Sequence, residues 1–314
     1  MAELVTGTKT PDAGVRNAML KALYEVVSKA GVNMSETSRT SILSLIDSDP
    51  SDTDASMAIT HARLLGALIK NLPAANATAL IKQRVLTTHF TNASVLSLNA
   101  VLLESPDTLL TAFTQETPSI ISHGIQSKHP FIADNCVLAA GKYLLSSGEK
   151  TSYETGKRIF EALTNLLKPG NPADTRRLAL VVVRTMTRQH SDAVRPHLGL
   201  LALPIFASVR DPVIPVKLAA EAAFLAIFSV VESETAVFDK YMAGAGADLN
   251  ANTRRSMQDY FKRVATRLGA QARERKEAEG GQGGLGLSND EREDEREIWS
   301  VGRVDLGETT FSDE

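Results

Sequence analysis

Three arginines, Arg177, Arg184 and Arg188, are separated by seven and four residues. On a helix turning by about 100° per residue that spacing confines them to one narrow stripe, able to grip phosphates or carboxylates. A solvated face with ordinary salt links is the competing reading. A second basic group, Arg254, Arg255, Lys262, Arg263 and Arg267, spreads around much of a helix circumference. It lacks the interleaved aromatics that stack on bases, so a soluble surface fits it better than a nucleic-acid site. Trp299, flanked by Ile298 and Val301, follows the acidic run 290–297. A lone tryptophan so placed commonly anchors a short recognition motif, on a partner or on the protein's own body, and a chance aromatic is the equal competing reading.

Catalytic and cofactor chemistry finds no comparable support. The histidines at 61, 89, 123, 129, 190 and 197 include no pair at the i, i+4 spacing that places two metal ligands on one helix face. The glycine-rich run 280–286 follows a charged segment and enters an acidic one, the opposite of a phosphate-cradling loop, which follows a strand and opens a helix. Gly141-Lys142 resembles the end of a nucleotide-binding loop, but Cys136 replaces the earlier glycine and Tyr143 the Ser or Thr. No Gly-x-Ser-x-Gly elbow occurs. Cys136, within an apolar run, reads as a small core residue. The expectation is a non-enzyme with no cofactor, metal or small-molecule substrate.

Composition says what must position these residues. The chain has 314 residues, 43% apolar but only 5% aromatic, a balance that favours packed helices over sandwiches or barrels. A single cysteine excludes a disulfide framework. No apolar stretch reaches the roughly 18 to 20 residues of a membrane span, and charged residues interrupt the first thirty. The chain reads as soluble and cytoplasmic, with no membrane partner. The net charge of −3 conceals a split, because residues 280–314 hold ten acidic and three basic side chains. A mildly basic body therefore precedes an acidic tail.

The body repeats itself. Polar turns anchored at 12, 53, 92, 130, 173 and 211 each precede an apolar helix, at steps near 40 residues. Partner helices are expected at 40–46, 79–86, 109–125, 159–167 and 198–209. One antiparallel pair cannot bury its own apolar face, so pairs must stack into a solenoid. The turns resemble those of HEAT repeats, where an Asp and a following basic residue tie one repeat to the next. Asp12 with Arg16, Asp174 with Arg176 and Arg177, and Asp211 with Lys217 fit that pattern; the turns near Asn92 and Pro130 lack the basic residue. The expected fold is an all-α HEAT-type solenoid, an armadillo-like superhelix, over 1–249. Residues 250–279 would form a polar capping helix with Met257, Phe261, Val264 and Leu268 as its apolar stripe. Residues 280–314 would be disordered, and their removal should leave the melting transition nearly unchanged.

Four segments carry a more specific likeness: SLNAVLLESP (97–106), RDPVIPVKLAAEAAFLAIFSVVESETAVFDKYM (210–242), SMQDYFKRV (256–264) and EDEREIWSVGRVDLG (293–307). They resemble the extreme C-terminal region of the general control non-derepressible one family, very large ribosome-associated HEAT-repeat translational activators. The resemblance implies that Met1 opens a fragment of a longer chain. It implies a scaffold for the kinase that phosphorylates translation initiation factor two, with the kinase's RWD domain and the ribosome as partners. No site residue of the family maps onto a position here, and the kinase-binding region could lie upstream. An importin-like or vesicle-coat transport adaptor is the alternative, and ribosomal RNA contact through Arg177, Arg184 and Arg188 a further one.

Overall fold

The computed structural model describes residues 2–30, 34–48, 55–87, 90–232 and 289–301, with isolated helical positions between 252 and 266. Among the described residues every regular element is helical. The helices are α1 (Ala2–Gly7), α2 (Ala13–Ala30), α3 (Glu36–Ser48), α4 (Ala55–Lys70), α5 (Ala74–Arg84), α6 (Asn92–Glu104), α7 (Pro106–Ala112) and α8 (Glu116–Ile125). They continue with α9 (Pro130–Ser147), α10 (Tyr153–Leu166), α11 (Ala173–Gln189), α12 (Ser191–Val194), α13 (Leu198–Ser208), α14 (Ile214–Glu232) and α15 (Asn289–Ile298). The fold is an all-α solenoid of stacked helix pairs.

Local chemistry explains where the principal helices start. α2, α4, α6, α9, α11 and α14 begin within three residues of the six polar anchors. Asp12 Oδ1 accepts the Val15 N–H at 2.9 Å and caps α2. At α6, Thr91 Oγ1 accepts from the Ser94 N–H at 3.1 Å while Ser94 Oγ accepts from the Thr91 N–H at 2.9 Å, a reciprocal capping box. Ser152 caps α10 through the Thr155 N–H. The helix expected over 109–125 is two helices, α7 and α8. Pro118 lacks the N–H that a continuous helix would need there, and it sits in the first turn of α8, where that donor is dispensable.

The chain divides into two compact units, with the boundary inside α9. In the first, Met1–Tyr143 with Trp299–Glu314, α2 packs on α4 and α4 on α6, flanked by α1, α3, α5 and α7. Leu20, Leu23, Val27, Ile42, Leu64 and Leu68 form a continuous core there. α4 and α6 approach so closely that a Cβ at Gly66 would lie 2.9 Å from the Ala100 carbonyl oxygen. In the second unit, Leu144–Ile298, α11 packs on α14 and α10 on α13. The helices between neighbours have almost no free side: residues 94–102 of α6 and 178–187 of α11 are buried without exception.

That burial captures a lysine. Lys142 is 0% exposed, and its Nζ lies 2.7 Å from Asn99 Oδ1, to which it donates. Asn99 Nδ2 donates in turn to the carbonyls of Val95 and Asn135 at 3.1 and 2.9 Å. The contacts described for Lys142 and Asn99 include no carboxylate, and desolvation lowers the Lys142 pKa well below 10.5, favouring the neutral amine. The unfolded chain therefore binds one more proton between the lowered and the ordinary pKa, and stability rises with pH across that window by up to about 1.4 kcal/mol per unit. Cys136 and Tyr143 act oppositely at higher pH: burial pushes the thiol up to about 12 and also raises the phenol. We expect urea-melt stability to climb from pH 7 to 8.5 in the wild type, and Lys142→Met to flatten that slope. An unchanged slope in the variant would show that Lys142 keeps its proton on folding.

Candidate functional site

The polar residues singled out by spacing are redistributed by the packing. Arg176, in the first turn of α11, reaches Asp211 in the turn before α14 through two parallel bonds, Nε to Oδ2 and Nη2 to Oδ1, both 3.0 Å. The two side chains are only 6% and 4% exposed. Arg176 also donates to the carbonyls of Asn171 and Pro169, while Asp211 Oδ1 accepts the Val213 N–H at 2.9 Å. Arginine and aspartate thus tie one repeat to the next, but the partners differ from those expected. Asp174 is exposed at the positive end of α11 and Lys217 is exposed on α14. Asp12 and Arg16 act within their own turn: Asp12 caps α2, and Arg16 donates to the carbonyls of Thr10 and Pro11 at 3.1 and 3.2 Å. An aspartate before a helix serves first the N–H groups nearest to it, and only the buried Arg176 is close enough to compete.

Because the Arg176–Asp211 pair is buried, removing one partner strands the other. Arg176→Ala or Asp211→Ala should each cost about 3–5 kcal/mol in chemical denaturation, and the double variant less than their sum. Additive losses would show that the two side chains act independently.

The arginine stripe of α11 is not an open phosphate grip. Arg177 is half-buried, Arg184 is 8% exposed and Arg188 is exposed. Helix α15, from the acidic tail, lies against α11. Arg177 Nη2 donates to both oxygens of Glu297, at 2.8 and 2.6 Å, with each side chain 20% exposed. At the other end of α11, the Gln189 amide donates to Glu295 Oε1 at 2.8 Å. Glu295 and Glu297 point about 200° apart around α15, so one short helix reaches both ends of α11, at Arg177 and at Gln189, the latter about 120° around α11 from the arginine stripe.

The expectation of a disordered tail over 280–314 is therefore corrected for residues 289–301. Ile298 is fully buried, and Trp299 is half-buried in the turn that follows. Val301 packs with Ala62, Leu96 and Ala100 in the first unit. Ordering these residues is offset by buried apolar area and charge-assisted hydrogen bonds, which composition does not reveal. The tail contacts made by Glu295, Glu297, Ile298 and Val301 were missed. The available signal was an acidic helix-compatible run, ending in aliphatic residues, in a chain whose body carries a basic stripe.

Of the second basic group, Arg255 and Arg263 are exposed helical positions; Arg254, Lys262 and Arg267 lie outside the described residues, as do Met257, Phe261, Val264 and Leu268. Arg263 sits over the Tyr260 ring at 5.9 Å. Tyr260 donates to the buried Glu221 at 2.8 Å and meets Phe206 and Phe224 edge-on. His197 is packed between Tyr153 and Phe160, with centroids at 4.9 and 5.2 Å. Burial lowers its pKa, opposed by Glu154 and assisted by Lys157. Cys136, protonated and enclosed, fills space in α9.

Stacked helix pairs, a buried inter-repeat Arg–Asp tie and broad surfaces define a helical-repeat protein of the HEAT class. Residues 1–279 match the family described as "Stalled ribosome sensor GCN1-like, HEAT repeats". The chain belongs to this family. The eIF-2-alpha kinase activator GCN1 of Saccharomyces cerevisiae (strain ATCC 204508 / S288c) is 37% identical over 336 aligned residues, covering 97% of this chain and 12% of that protein. Protein ILITYHIA of Arabidopsis thaliana is 25% identical over 258 residues, covering 79% of this chain and 10% of that protein. The chain thus spans about a tenth of the length of these relatives. Among solved structures, a designed armadillo repeat protein shares 13% identity at a TM-score of 0.44, over 72% of this chain and 98% of its own.

Contrary to the expectation from composition, truncation after residue 288 should lower stability by about 3 kcal/mol. That figure reflects the lost burial of Ile298 and Val301, and it corresponds to a melting midpoint lower by on the order of 5–10 degrees. An unchanged midpoint would place the tail off the body in solution.

Proposed function

We propose that this chain is a non-enzymatic interaction scaffold in translational control, working in the cytoplasm as part of a larger repeat array. It would bind the RWD domain of the kinase that phosphorylates translation initiation factor two, and it would associate with ribosomes when amino acids are scarce. The observation that carries this reading is the 37% identity to a named kinase activator, sustained across 97% of the chain. The family description as a stalled-ribosome sensor supports the ribosome as a partner. The physical design is consistent in kind, since stacked helix pairs offer long outer faces to protein partners. Ribosomal RNA contact through Arg177, Arg184 and Arg188 is less favoured, because Arg177 is engaged by Glu297 and Arg184 is buried.

The test is binding of the full chain to a purified RWD domain of that kinase at low and high salt, with ribosome co-sedimentation in parallel. An apolar interface should saturate and survive high salt, whereas phosphate contacts weaken steeply with ionic strength. Absence of both RWD binding and ribosome pelleting, with a folded helical sample, would remove the proposal for this stretch of the family.

A further inference from the structure

Helix α15 is a segment that should not hold together unaided. Its ten residues carry six acidic and two basic side chains. A helix of that length is marginal alone in water. Its ordering is accompanied by two kinds of contact. Carboxylates provide the first, with Glu297 taken by Arg177 and Glu295 by Gln189. The second is apolar, Ile298, withdrawn completely from solvent at the end of the helix.

We propose that the α11 surface that takes Glu297 at Arg177 and Glu295 at Gln189 is a docking surface for acidic helices of partner proteins, and that α15 holds it as a tethered competitor. The bound α15 defines what a partner must offer. It needs two carboxylates two residues apart, to reach Arg177 and Gln189 at opposite ends of α11, and an aliphatic residue directly after the second. Charge complementarity supplies orientation and approach rate, and the aliphatic side chain supplies the contact that salt does not screen. Protein is favoured over nucleic acid by two features. The Gln189 amide serves a carboxylate at one end, and the residue that ends α15, Ile298, is apolar and fully buried. Attachment in the same chain gives α15 an effective concentration on the order of millimolar, so a partner must bind well or meet a weakened α15. The surface follows from α11 and α15 alone and stands apart from the kinase and ribosome reading.

The experiment uses the full chain, its Glu295→Ala/Glu297→Ala variant, and a labelled synthetic peptide of residues 287–301 as the probe, read by fluorescence anisotropy. The double variant should bind the peptide about tenfold or more tightly than the wild type, whose face is already filled, and this binding should fall with added salt. Adding Arg177→Glu to the double variant should weaken peptide binding by about tenfold. Because a variant could lose structure elsewhere, the charge swap Arg177→Glu/Glu297→Arg provides the second arm. It should restore exclusion of the peptide and slow amide hydrogen exchange over 289–298, both of which the double variant loses. The proposal is overturned by equal peptide binding to wild type and double variant, or by unaltered exchange over 289–298 in the double variant. Equal binding of a scrambled peptide also overturns it, as does a short single-stranded RNA that binds the double variant more tightly than the acidic peptide.

Discussion

Everything in this structure follows from the inability of one helix pair to bury its own apolar face. Stacking solves that problem by placing each inner helix between two neighbours, and the consequence is a set of helices with no solvent side. α6, α9 and α11 show it most fully, with nine, eleven and ten consecutive buried residues. A helix enclosed in that way can carry polar groups only if each finds a partner inside the stack. Lys142 meets the condition through Asn99, with desolvation favouring its neutral form, and Arg176 meets it through the Asp211 carboxylate. The difference is the presence of a carboxylate in one case and an amide in the other.

The same constraint makes the turns between helices the places where repeats communicate. Asp211 serves the N-terminus of its own helix through the Val213 N–H and the preceding repeat through Arg176. One carboxylate thus sets both where a helix starts and where it sits. Asp12 does only the first of these, because Arg16 turns to the carbonyls of its own loop. The polar tie is therefore a property of a particular pair of repeats and not of every turn with the matching residues.

The acidic tail extends this logic to the outside of the stack. A half-buried basic side chain on α11, Arg177, is paired with a carboxylate from elsewhere in the chain, and the aliphatic residue that follows that carboxylate is fully buried. A surface satisfied by the chain itself differs in kind from an open one. Its availability depends on how firmly its own occupant is held.

The amino-acid sequence alone determined the class of fold, the six principal helix starts and the absence of a recognisable catalytic motif, because periodic burial and turn chemistry are local properties read along the chain. The family was also legible, from stretches such as 210–242. What only the tertiary structure decided were the partners. Asp211 pairs with Arg176 and not Lys217, Glu297 with Arg177 across 120 residues, and Lys142 with Asn99. The split of 109–125 between Ala112 and Glu116, ahead of Pro118, and the ordering of 289–301 belong with these. Each depends on which groups the stack brings within hydrogen-bond reach and how much water it removes, and neither quantity is encoded in any single stretch of residues.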